Sequence, residues 1–161
     1  MFGRISFRAV SVAVIASAAL AATPAAAQAM TVSIGQPSLA ARVAVTVPVT
    51  VSCSAFDPSL TLFSTQASVN IEQAAGQGIA HGTGSAFGGP FSALLWPCDG
   101  SSRTVPVVVL ASPGGPPFHG GPAVVSAAAQ AMAGISCGFP GCFFNITSQS
   151  ATAGPIATNL H

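Results

Sequence analysis

Between Val43 and Cys53 the chain alternates without a break. Val43, Val45, Val47, Val49, Val51 and Cys53 take one parity; Arg42, Ala44, Thr46, Pro48, Thr50 and Ser52 take the other. Side chains alternate across a strand, so this segment turns a branched apolar face to a core and a mostly polar face to water. Its β-branched run and its proline exclude a helix. Pro48 has no N–H to give a ladder, which predicts an edge, a bulge or a break at that point. The same period returns in Ala67, Val69 and Ile71 against Ser68, Asn70 and Glu72. It returns again from Thr104 to Leu110, with Val105, Val107 and Val109 on one face and Pro106 on the outward parity.

Weaker strands fill the gaps. Residues 79–86 are short and glycine-rich. In residues 123–132 the alanines favour a helix, but Val124-Val125 and the neighbouring strands favour β, so a strand is expected. Residues 143–148 and 155–160 read as two final strands, and residues 28–38 as a leader or a first short strand. Asp57-Pro58, Gly76-Gln77-Gly78, Asp99-Gly100, the run from Pro113 to Pro117, and Gly120-Gly121-Pro122 punctuate the chain as turns. Many short strands with regular turns predict an all-β sandwich of two antiparallel sheets.

The first residues obey a different pattern. Arg4 and Arg8 flank a polar start, residues 9–22 carry no charge, and Ala25-Ala26-Ala27 offers small side chains to a peptidase. That is the layout of a cleaved signal peptide helix over residues 1–27. Cleavage after Ala27, with Ala29 the next choice, leaves residues 28–161, enough for one domain over 39–161. The apolar run is short for a bilayer span, and no later segment reaches about 18 uninterrupted apolar residues. The expected location is therefore secreted, extracellular, with no transmembrane segment after cleavage.

Beyond the leader the charged residues are Arg42, Arg103, Asp57, Glu72 and Asp99, with no lysine: two cations against three carboxylates. A nucleic-acid partner needs a basic stripe to neutralise phosphates, and none exists here. The surface must be built from Ser, Thr, Gln, Asn, Gly and Ala, with little like-charge repulsion between copies. The composition also fits a bias toward GC-rich codons, which suggests a bacterial source.

An oxidising compartment fixes the chemistry of the cysteines. Four cysteines allow three pairings. Cys137 and Cys142 enclose Gly138-Phe139-Pro140-Gly141, a stretch able to turn back on itself, which leaves Cys53 for Cys98. Structural zinc favours closely spaced cysteine pairs, and these spacings do not supply them.

Taken in order, V-T-V-S-C at 49–53, Ala67 to Gln73, Gly82 to Ser85, Pro97-Cys98-Asp99-Gly100, Thr104 to Val109 and Gly121 to Val125 resemble small exported immunoglobulin-like domains of actinobacteria. The resemblance covers residues 43–130, with a longer stretch than expected between Gly88 and Trp96. It implies an immunoglobulin-like antiparallel β-sandwich of about seven strands and the Cys53–Cys98 bridge. It implies no catalytic residue and no established activity. Cys137 and Cys142, followed by Ile146-Thr147 and Gly154-Pro155, are similar to the tail of neocarzinostatin-type apoproteins, secreted sandwiches that carry an apolar chromophore. That likeness covers some twenty residues. Those proteins' other disulfide closes a short loop, so no binding residue is carried over.

Candidate chemistry is sparse. Asp57 precedes proline and Asp99 precedes glycine, turn positions where a carboxylate bonds local amides. Glu72 has the outward parity of its strand. Ser85 lacks the flanks of a nucleophile elbow. His81, His119 and His161 show no ligand spacing, so neither a metal site nor a cofactor is expected. The aromatic residues are the candidates for binding: Phe87, Phe91 and Trp96 in one loop, Phe118 and His119 in another. Either they fold over the ends of the sandwich, or they form a patch for a partner. The expectation is a non-catalytic module, an envelope component or a binder of an apolar ligand. The alternatives are a carrier of an apolar small molecule and, below it, a hydrolase.

Overall fold

The computed structural model describes residues 30–89, 96–139 and 142–161. They form eight strands: β1 (Thr31–Ile34), β2 (Ser38–Ala41), β3 (Ala44–Ser52), β4 (Thr61–Ala75), β5 (Gly78–Gly88), β6 (Ser102–Ala111), β7 (Gly121–Ser136) and β8 (Phe143–Leu160). Among the described residues there is no helix. Every strand pairing is antiparallel. The expected signal peptide and Phe91 lie outside the described residues.

The hydrogen-bonded path runs β1-β3-β6-β5-β4-β7-β8, with β2 also on β3. It behaves as two layers, because β5 and β6 share only Gly82↔Ala111 and Thr83↔Leu110. One layer is β1, β2, β3 and β6; the other is β5, β4, β7 and β8. Near its far end β1 packs alongside β8, so the path almost closes into a barrel. The predicted antiparallel sandwich is thus one continuous sheet folded over at a two-residue joint.

Two glycines make that joint. A Cβ on Gly84 would sit on the Val108 carbonyl, and one on Gly82 would lie 2.7 Å from the Leu110 carbonyl oxygen. Only strand residues without side chains let β6 cross β5 so closely.

The two strand prolines face each other, Pro48↔Pro106, in the middle of β3–β6. In an antiparallel ladder, alternate residue pairs point their N–H and C=O away from each other. Pro48 is of that kind, since its carbonyl accepts from the Gly35 N–H at 2.8 Å, on the side away from β6. Its missing donor falls between the end of β1 at Ile34 and the start of β2 at Ser38. The Pro106 nitrogen faces the β5 side, where pairing is confined to Leu110 and Ala111. The break expected at Pro48 therefore lies in its neighbour, and β3 itself runs on.

The core follows the predicted parity. Val45, Val47, Val49 and Val51 of β3 pack with Val105, Val107 and Val109 of β6. Across from them stand Ala67, Val69 and Ile71 of β4 and Ala127, Ala129 and Ala131 of β7, all buried. Residues 123–132 are strand, as expected. The region after 143 is one strand of 18 residues in place of the two expected. Gly154-Pro155, which has the composition of a turn, is absorbed where the β7–β8 register shifts between Val125 and Ala127. Gly154 has φ +88° there, and a Cβ would meet the Val125 carbonyl oxygen at 2.6 Å. Residues 28–38 contribute a first short strand, Thr31–Ile34.

Both disulfides pair as the spacing predicted, Cys53–Cys98 and Cys137–Cys142. The first ties the end of β3 to the turn before β6, with Cα atoms 4.7 Å apart. The second closes the connection from β7 to β8.

Candidate binding surface

Of the candidate aromatic residues, Phe118 and Trp96 lie at opposite ends of the sandwich, and Phe87, expected in a loop, stands in β5. The Phe118 N–H donates to the Arg42 carbonyl at 2.8 Å, beside the start of β3. Trp96 is two residues from Cys98, which is bonded to Cys53 just past the end of β3. Phe118 is completely buried, with its ring over Gly82, and Trp96 is buried as well. Both side chains therefore close the ends of the core. Phe87 and His119 are exposed. Among the described residues, Phe87, Trp96, Phe118 and His119 do not share one patch.

Sequence reasoning missed the residue that organises the Phe118–His119 loop. Gln73 continues the inward parity of Ala67, Val69 and Ile71 and is buried. A buried amide needs partners. Its Nε2 donates to the His119 carbonyl at 2.7 Å and lies 3.5 Å from that of Pro122; its Oε1 accepts the His119 N–H at 2.9 Å. The parity alone would have flagged it, as a polar side chain in an apolar series. The His119 ring spans the same corner, with Nδ1 2.8 Å from the Gly120 carbonyl oxygen and Nε2 3.0 Å from that of Ala74. Next to this bracket lies an open hollow of about 470 Å³, lined chiefly by Leu39, Arg42, Ala75, Pro116, Pro117 and His119. Arg42 supplies its single formal charge.

At the other end the interior is polar. Thr65, Trp96 and Gln149 are buried there, and Gln149 Nε2 donates to the Ser54 carbonyl at 3.0 Å. Thr65 and Gln149 both pair with Ala131, one from each side of β7. Thr65 Oγ1 and Trp96 Nε1 meet no hydrogen-bond partner among the described residues.

The titratable groups occupy the places that their turns and parities predict. Asp57 Oδ1 accepts from the Ser59 hydroxyl at 2.6 Å and the Ser59 N–H at 2.8 Å. The Asp99 carboxylate accepts from the Ser101 hydroxyl, and its Oδ1 from the Ser101 N–H at 2.8 Å. These bonds favour the ionised form, so both carboxyls sit below the usual aspartate value. They are turn caps on the surface. Glu72 lies opposite His81 in the β4–β5 register, with Oε1 3.7 Å from His81 Nδ1 and both side chains more than half exposed. The chain thus does place a histidine beside a carboxylate, but among the described residues neither the His81 nor the His119 ring bonds a serine. Among the described residues no group of three or more His, Cys, Asp or Glu could hold a metal ion.

Compared with known proteins, the chain matches no family model, no curated protein and no solved structure. Fold and surface together define a class, a disulfide-bonded antiparallel β-sandwich with Phe118 and Trp96 buried at its two ends.

Proposed function

We propose that this chain is a secreted, non-catalytic, immunoglobulin-like module of the extracellular space or cell envelope that binds through its surface. The observation that carries this reading is the joint closure of the fold. Two disulfides staple it, as suits an oxidising compartment. Phe118 and Trp96 fill the two ends of its core. Contact with a partner therefore belongs to the outside, and the hollow beside His119 offers one place for it. Its lining of prolines and aliphatic side chains around one guanidinium suits an apolar segment that carries an acceptor for Arg42.

The same filling weighs against a carrier of an apolar small molecule, which needs a cleft between the layers. A hydrolase needs a serine within reach of the histidine and the carboxylate. The Glu72–His81 pair lies exposed on a sheet face.

Intact mass measurement of the exported protein, with and without reduction, tests the reading. The expected species begins at residue 28 or 30 and gains four hydrogens on reduction, two for each bridge. A retained leader, free thiols, or a bound apolar small molecule released on unfolding would overturn it.

A further inference from the structure

Two hollows lie on the outer face of the β5-β4-β7-β8 layer, and they meet at Ser68. One, of about 470 Å³, is lined chiefly by Ser68, Asn70, Thr83, Ser85, Val108 and Leu110. The other, of about 200 Å³, is lined chiefly by Gln66, Ser68, Ala128, Gln130, Ser150 and Thr152. Neither shares a lining residue with the hollow beside His119.

The strand register joins them into one trough. Ser85, Ser68, Ala128 and Thr152 stand opposite one another on four successive strands. Two residues along each strand, Phe87, Gln66, Gln130 and Ser150 form a parallel row. Asn70 and Thr83 flank the first row on its other side. Ser68 and Ala128 are half-buried, whereas Gln66, Asn70 and Gln130 are exposed. Small side chains therefore make a floor that crosses the strands, and longer amides make its banks. From β5 to β8 the floor covers three strand spacings, roughly 14 Å. At the β6 end Val108 and Leu110, both more than half exposed, form an aliphatic wall, and Phe87 stands exposed on one bank.

The lining selects the occupant. No lining residue of either hollow carries a formal charge, so nothing there holds an anion or a cation. A peptide main chain needs free backbone groups, but at this place those of β4 and β7 are paired on both sides. A purely apolar partner would leave the amides and hydroxyls without bonds. Ser, Thr, Asn and Gln side chains each both donate and accept. So do the hydroxyls of a sugar, whose ring also offers C–H faces to Phe87, Val108 and Leu110. An elongated trough suits a chain of such rings better than a single one.

We propose that this trough is a binding site for a neutral polysaccharide, laid across the strands from the β6 wall to β8. The proposal rests on the surface-binding reading above and names a partner for it at a second place. Ser68, Asn70, Gln66 and Gln130 bond the sugar hydroxyls, and Phe87, Val108 and Leu110 take the ring faces.

Isothermal titration calorimetry of the exported protein, both disulfides intact, tests it. The probes are cellohexaose, maltohexaose and mannohexaose, their disaccharides, and hexagalacturonate as the anionic counterpart. At least one neutral hexasaccharide is expected to bind, with little dependence on salt. It is expected to bind about tenfold or more tightly than its disaccharide, because only the longer chain engages both hollows. Ser68→Leu raises the floor where the hollows meet and is expected to bring the hexasaccharide down to the affinity of the disaccharide. Gln66→Ala with Gln130→Ala is expected to weaken binding about tenfold, from the hydrogen bonds lost. Ile79→Ser, exposed at the far end of the β4–β5 hairpin, is expected to bind as the parent does. Unchanged near-ultraviolet circular dichroism shows that the variants are folded; should Ser68→Leu not be, the exposed amide pair decides alone. No binding of any neutral hexasaccharide, tighter binding of hexagalacturonate, or parental affinity in the trough variants would overturn the proposal. A leader found uncleaved by mass would sink the export reading and leave the comparison between variants standing.

Discussion

Gln73 occupies an inward position in a series otherwise filled by Ala67, Val69 and Ile71, and its amide ties β4 to both the N–H and the carbonyl of His119. Methionine has nearly the same volume and no partner to offer. Gln73→Met leaves the His119 N–H and C=O without their bonds while the packing changes little. The expected loss is about 1–3 kcal/mol, read as a lower urea midpoint at unchanged slope. A midpoint equal to the parent's would show that the loop is held by Phe118 and the His119 ring alone. The contrast with Asp57 and Asp99 is instructive. Their carboxylates also bond backbone amides, but at exposed turns within two residues of themselves, where water competes for the same donors.

At the level of strands, the joint between β5 and β6 depends on a missing side chain. Gly84→Ala would drive a methyl group into the Val108 backbone, which is part of a ladder and has little room to move. A loss of about 1–3 kcal/mol is expected from the overpacking. The exposed neighbour change Ser85→Ala should stay within about 0.5 kcal/mol of the parent. Equal melting temperatures for the two variants would contradict the close crossing. The strands themselves were legible before any coordinates. Alternation at 43–53, 67–72 and 104–110 gave their existence and their inward faces, because a period of two is a local property of the backbone. Turn residues gave the breaks, except at Gly154-Pro155, where pairing with β7 carried the chain through. Burial of Phe118 and Trp96 over the ends of the core was legible only as one of two alternatives. A large aromatic side chain in a loop reads the same whether it caps a core or faces a partner, and only the positions of distant strands decide.

For the molecule as a whole, the cross-links and the strand register share the work of selecting one arrangement. The Cys53–Cys98 bridge spans a sequence separation of 45 and the Cys137–Cys142 bridge one of 5. On the loop-entropy model, replacing the first pair by alanine is expected to lower stability by roughly 4 kcal/mol and replacing the second by about 2 kcal/mol. Denaturant unfolding of the two double variants side by side checks the order; a larger effect from the short loop would mean that the hairpin is integral to the core. The facing prolines contribute something that a cross-link does not. If β3 slid by one residue along β6, the Pro48 ring nitrogen would turn toward β6 and meet a carbonyl with no proton to give it. The same slide would carry the valines of β3 out into water. The correct alignment of the central pair is therefore the one in which two absent donors are harmless, so this chain excludes its nearest misfolded neighbour by what Pro48 and Pro106 lack.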